Sequence, residues 1–475
     1  MAVLSQAAAS RASARPRRGL ARLACVAAVV AAALCLCCSG VRALEVGKFA
    51  PGTKDMSPEQ RTASVQIVEA LQRAIQDPDM QREAEAALKN TGAGFDVCHS
   101  TLLRCNSTTK AVEEVVIKDM RGGVVQWNEL PSTVLRVFVM DSKLDQPLVL
   151  SSLPPQLSEF AATNVEWQSN ALLQNPPGDN APDAEATSAK LHLLQCNNCG
   201  LEKAELLPTS PQLGSLHTLS LRENPKLAVD ISQLPRSLVS LQLSGSGLTQ
   251  TTVKAALEAA PASLSRLNIS FTGIAMSIDM LSSASKDLEA LDVSGLTSGS
   301  VDTPLSVAQL EEACNPTGFN PTELYMIKSK LTGTLPALSK CTKLTALDMS
   351  NNKLSGAALD HLPPTLELLH LNNNDINSNL RTDTLPRALR SLDISANHFM
   401  GDMNLSGLPQ KLQFFDISHN DFSGKVNLTQ LPESIKFVYI QHNNFTGEAD
   451  LVDIPLGIRF IMIHHNNWDY RLPAL

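Results

Sequence analysis

Apolar positions in the last third of the chain fall in the spacing L-x-x-L-x-L-x-x-N. The lines end at Asn352, Asn374, Asn397, Asn420, Asn443 and Asn466. Successive asparagines are 22, 23, 23, 23 and 23 residues apart. The L-x-L segment of each line alternates apolar and polar residues, as a short strand with one buried face does. Recurrence at a fixed period in the twenties predicts that these strands stack, one per turn, into a coil with a parallel sheet on its concave side. The asparagine turns the chain after the strand. Its amide is expected to satisfy backbone groups that the bend leaves unpaired inside.

The same template continues upstream. Leu324, Met326 and Ser329 make a degenerate line, preceded by Leu288-Leu291-Val293, Leu264-Leu267-Ile269, Leu238-Leu241-Leu243 and Leu216-Leu219-Leu221 with Asn224. In Leu191-Leu194-Cys196-Cys199-Leu201, cysteines replace a strand residue and the asparagine. Leu157-Phe160-Ala162, Val134-Val137-Val139 and Val112-Val115-Ile117 complete the series. A Leu-Pro pair precedes many of the strands, among them Leu362-Pro363, Leu385-Pro386, Leu408-Pro409 and Leu431-Pro432. Proline keeps the convex segment extended, so convex helices are expected to be short or absent.

The expected fold is an α/β solenoid: a right-handed leucine-rich-repeat coil with a parallel concave sheet, about fifteen repeats and a helical N-terminal cap. The coil spans residues 110–475, with loop insertions near 168–188 and 303–320. Residues 44–109 form the cap, which shields the hydrophobic edge of the first turn. Ser57-Pro58-Glu59-Gln60 reads as a helix start, followed by an apolar face of Val65, Val68, Leu71 and Ile75. A Cys98–Cys105 disulfide is expected to close the cap.

Residues Leu331 to Gly356, LTGTLPALSKCTKLTALDMSNNKLSG, resemble the repeat of plant extracellular leucine-rich-repeat receptors. They are also similar to the surface antigens and proteophosphoglycan-like proteins of kinetoplastid parasites. The Leu-Pro-x-x-Leu spacing and the alanine-rich leader favour the second group. The resemblance implies an extracellular binding protein. The chain departs from the receptors in showing no membrane span or kinase, and from the anchored antigens in showing no lipid-anchor signal.

Composition and charge narrow the class. Of 475 residues, 43% are hydrophobic and 4% aromatic, which suits a leucine-filled core better than a set of base-stacking platforms. The formal charge is −8, and residues 1–43 contribute six arginines and no acid, which leaves −14 on the remainder. That charge argues against nucleic acid or an anionic membrane as partner. Residues 1–43 read as a signal peptide: a basic start, an apolar run from Leu23 to about Cys38, and cleavage expected after Ala43. Membrane association is then expected only through an uncleaved leader or a partner. Beyond the leader stand Cys98, Cys105, Cys196, Cys199, Cys314 and Cys341, an even set suited to an oxidising compartment. Cys314 and Cys341 are disulfide candidates. Cys196 and Cys199 fall on inward positions, as core thiols or a local bridge. Asn106, Asn268, Asn404, Asn427 and Asn444 head N-x-S/T sites.

The candidate site lies on the concave face of the final turns. Phe414, Phe437 and Phe460 recur at one strand position, and His419, His442 and His465 precede three successive asparagines, with Tyr439, Met462 and His464 between. Equivalent residues on adjacent strands stack about 4.8 Å apart. These columns are expected either to hold a partner or to cover the end of the coil. Metal binding would call for carboxylates or cysteines near the imidazoles, and only Asp416 and Asp469 offer themselves, so no metal site is expected. Asp348, Asp393 and Asp416 recur one per turn and read as a solvated polar column bonded to neighbouring turns. No cofactor or catalytic motif is found, and an enzyme is not expected. The chain is expected to be secreted or displayed at the cell surface, binding a protein or glycan on its concave face, for adhesion or host interaction. The competing readings are a receptor-like sensor of a peptide or small ligand that signals through a membrane partner, and a structural glycosylated coat protein.

Overall fold

The computed structural model describes residues 103–469, apart from 107–110, 174–189, 205–212, 230–233, 259–260, 277, 296, 299–305, 308–309, 315–317, 337 and 452. The leader and the helical cap expected over 44–109 lie outside the described residues, except for the last strand of that segment, Leu103–Cys105.

One sheet of sixteen strands runs through the described chain. Leu103–Cys105 opens it and pairs antiparallel with Val112–Lys118. From there to Phe460–Met462 each strand pairs parallel with the next, in a run of fifteen strands. The alternation predicted from L-x-L holds: Leu347, Leu369, Leu392, Phe415 and Val438 are fully buried at the middle strand position. They join one continuous apolar core that extends from Leu103 to Trp468. Each turn contributes only a few side chains, so the core stabilises the coil by stacking neighbour on neighbour.

The asparagine ladder has the predicted function. Asn352 Nδ2 donates to the carbonyls of Met326, Met349 and Ser350 at 2.8, 2.9 and 3.2 Å. Its Oδ1 accepts the amides of Ser329 and Leu331 at 2.9 and 3.0 Å, so one side chain ties two turns together. Asn374, Asn397, Asn420, Asn443 and Asn466 repeat the scheme. Where the sequence lacks asparagine, a smaller donor takes the place: Ser329 Oγ donates to Val293 and Ile327 carbonyls, and Cys199 Sγ to those of Ala162 and Asn197. The residue before the ladder position is left-handed in turn after turn, as at Asn351, Asn373, Ala396, His419, His442 and His465, with φ between 51° and 59°.

The convex side is mostly irregular or 3-10. Short 3-10 turns at Leu359–His361, Thr382–Thr384, Leu405–Gly407 and Leu428–Gln430 each end on an extended leucine followed by proline. Short α-helices stand at Ile278–Ser282 and Leu310–Ala313, and a longer one of nine residues at Gln250–Glu258. Its segment, QTTVKAALE, carries no Leu-Pro pair and contains good helix formers. A disulfide joins Cys314 to Cys341 across the second insertion. Cys105 is also disulfide-bonded, while Cys98 lies outside the described residues. No helix among the described residues is long and apolar enough to cross a membrane.

Candidate functional site

The last three strands of the sixteen-stranded sheet set the site. Phe414–Asp416, Phe437–Tyr439 and Phe460–Met462 pair in register, so Phe414, Phe437 and Phe460 share one column and Asp416, Tyr439 and Met462 another. The residues between them, Phe415, Val438 and Ile461, point to the core, which turns the two columns outward together. The columns also touch each other: Phe414 lies 6.4 Å from Phe437 and 5.7 Å from Tyr439, and Tyr439 lies 5.5 Å from Phe460, measured between ring centroids. Phe414 and Phe437 are half-buried, whereas Phe460 is 42% exposed at the last turn.

The histidines form a separate row along the rim. His419, His442 and His465 stack with centroids 4.1 and 4.2 Å apart, because each occupies the left-handed position of its turn. Histidine is among the residues that tolerate this conformation. Backbone bonds from His442 N to His464 O and from Asn443 N to His465 O clamp the row. His464 packs edge-on to His442 at 5.5 Å. Burial, followed by the charges of His419, His465 and His464, lowers the His442 pKa.

The acidic column departs from expectation. Asp348 and Asp393 are buried, 5% and 3% exposed, rather than solvated, and Asp416 is half-buried. Their bonds run mainly within the turn. Asp393 Oδ1 accepts the Ser395 amide and hydroxyl at 3.0 and 2.6 Å, and Asp416 Oδ1 accepts those of Ser418 at 2.9 and 2.6 Å. Asp348 Oδ1 accepts the Ser350 amide. These contacts close the end of each strand with an Asx turn.

Between the acids stands His370, 4% exposed, which the sequence reading did not single out. Its Nδ1 is 3.5 Å from Asp348 Oδ2, its Nε2 is 2.9 Å from Ser391 Oγ, and Asp393 is its register partner on the next strand. Burial raises the pKa of Asp292 and of Asp393. Asp416 is pushed up to about 7, first by burial and then by the charge of Asp393 beside it. Tyr325, in the same column, is raised by burial and by Glu323. Reading the third strand position down the repeats, as Asn268, Asp292, Tyr325, Asp348, His370, Asp393, Asp416 and Tyr439, would have exposed this column.

The remaining candidates are scattered. Cys196 and Cys199 are buried free thiols, and burial raises Cys196 well above the ordinary thiol range. Asn404, Asn427 and Asn444 are exposed. Asn268 instead sits on the concave sheet and donates to Asp292 at 2.9 Å, and Asn106 donates to Glu113.

The family model described as "Leucine Rich repeat" matches residues 340–360. The fold is a leucine-rich-repeat coil. No curated protein matches the sequence. Among solved structures, the chain is similar to an internalin from Listeria monocytogenes at 14% identity and a TM-score of 0.48, covering 82% of this chain and 96% of that one. It is similar to a leucine-rich-repeat protein of Leptospira interrogans at 19% and 0.47, covering 66% and 74%. It is also similar to an Arabidopsis receptor kinase in complex with a peptide hormone and a co-receptor, at 16% and 0.40, covering 87% and 86%.

Proposed function

We propose that this chain is a secreted or surface-displayed binding protein that holds a protein partner on the concave face of its final turns. The carrying observation is the contiguous aromatic surface of Phe414, Phe437, Tyr439 and Phe460, held on in-register strands and open at Phe460. Aromatic side chains on a rigid sheet lose little conformational freedom on binding, and they supply the anchors that dominate protein interfaces. Such a surface favours partner binding over a coat protein that mainly displays glycans. The resemblance to kinetoplastid surface antigens supports adhesion or host interaction as its use.

Peptides selected from a random display library on the wild-type chain test this reading. They are expected to bind a Phe437→Ala/Tyr439→Ala/Phe460→Ala variant at least about 30-fold more weakly, the loss of one interface hot spot. Selected binders that hold equally to both proteins would overturn it.

Export rests on the leader, on the Cys314–Cys341 disulfide and on the exposed N-x-S/T sites. Expression in a secretory host followed by enzymatic deglycosylation and mass spectrometry is expected to find glycans at Asn404, Asn427 and Asn444. Asn268, whose amide is engaged by Asp292, is expected to carry none. A chain retained in the cell and bare at all these positions would count against export.

A further inference from the structure

The rim of the last two turns brings three imidazoles together from two strand ends. One ring nitrogen each of His442, His464 and His465 lies within 4.8 Å of the others. We propose that these three histidines form a binding site for a divalent transition-metal ion of the zinc class.

Coordination chemistry and the local geometry both support the site. Imidazole nitrogen is the ligand that zinc, copper and nickel prefer, and three histidines leave an open coordination position for water or another ligand. A tetrahedral zinc site needs nitrogens about 3.3 Å apart, given zinc–nitrogen bonds near 2.0–2.1 Å. His464 and His465 are exposed, so their side chains can close the remaining distance by turning in solvent. The backbone beneath is fixed, since His442 N bonds to His464 O at 3.1 Å and Asn443 N to His465 O at 3.2 Å. His442 and His465 are stacked at 4.2 Å and His464 lies edge-on at 5.5 Å, so the three rings are already neighbours and need only turn about their side-chain bonds for their in-plane nitrogens to converge on one ion.

Beside His442, Gln441 is 8% exposed, and its carboxamide Oε1 has no hydrogen-bond partner. It occupies the strand-end position that His464 takes one turn later. A buried acceptor without a donor is costly, and a metal-bound water supplies donors. Carboxylates are missing from this set, which excludes calcium and magnesium, since both ask for oxygen ligands.

The inference is independent of partner binding, because its test uses the metal alone. Zinc is titrated into the purified chain by isothermal calorimetry and by competition with a chromophoric chelator. Stoichiometric binding is expected. His442→Asn and His465→Asn suit the left-handed turn that both residues occupy, and His464→Gln is isosteric enough to preserve the fold. Each of the three is expected to weaken zinc binding at least tenfold, about 1.4 kcal/mol, with unchanged circular dichroism and melting temperature. His361→Asn, at an exposed convex position, should leave the affinity as it was. No zinc binding by the wild-type chain, or equal binding by all four variants, would overturn the proposal.

Discussion

Replacing Asn352 with alanine is expected to destabilise its part of the coil by about 4 kcal/mol, far more than the same change one residue earlier. Asn352 is 9% exposed and makes five bonds to backbone groups. Alanine would leave the amides of Ser329 and Leu331 without acceptors inside the coil, and each orphaned donor costs about 1–3 kcal/mol. The three carbonyls that lose a donor add to this. Asn351 provides the control. It is left-handed at φ 59°, and its counterpart two turns on is an alanine, Ala396, at φ 51°. The architecture thus accepts alanine there, and Asn351→Ala is expected to cost less than about 1 kcal/mol. Because each turn touches only its neighbours, global unfolding could blur the effect, so hydrogen exchange is the better readout. Exchange at Ser329 and Leu331 should accelerate on the order of a thousandfold in Asn352→Ala and change little in Asn351→Ala. Equal exchange in the two variants would mean that the ladder contributes packing alone.

That contrast shows why so much of the coil was legible. A ladder residue meets the same surroundings in every turn, so one mechanism explains Asn352 and its successors. It even explains Cys199, whose thiol donates to Ala162 and Asn197 carbonyls where an asparagine amide would. Register follows from the period, which is why Phe414, Phe437 and Phe460 fall in one column. What the period does not carry is contact between columns. The burial of Asp348 and Asp393 depends on His370 and on the serine hydroxyls around them, residues that differ from turn to turn. An alternating strand reads as half-solvated, and that rule fails where polar neighbours satisfy one another across the sheet. The three histidines were named together from the sequence, but the approach of their ring nitrogens was not legible there. His464 belongs to a different column from His442 and His465, and only the turn after the strand brings its ring alongside theirs. The helix Gln250–Glu258 stands in a turn that lacks the Leu-Pro pair, so nothing there holds the chain extended.

The buried acids lead to the second large effect: Asp416→Asn is expected to stabilise the protein above neutral pH by about 4 kcal/mol and to do nothing near pH 4. In the folded chain burial and Asp393 raise Asp416 from 3.8 to about 7. Below pH 3.8 the carboxyl is protonated whether the chain is folded or not. Between 3.8 and about 7 the unfolded chain releases the proton while the folded chain keeps it, so stability falls as pH rises through this window. Above about 7 both states are ionised and the penalty is constant, at 1.36 kcal/mol for each pH unit separating the two values. Asparagine removes the charge without disturbing the turn, because Asn268 at the equivalent position already does the same work. Its Oδ1 accepts the Ser270 amide and hydroxyl at 3.0 and 2.7 Å, against 2.9 and 2.6 Å for Asp416 on Ser418. Urea unfolding of both proteins at a series of pH values between 4 and 8 measures the effect. The wild-type midpoint should decline across the window while that of the variant stays flatter, so the curves diverge as pH rises. Parallel curves would show that Asp416 is ionised in the folded chain at all these pH values. Asp416 would then be hydrated in the folded chain, and the aromatic surface beside it would border a charged side chain instead of a neutral one below about pH 7.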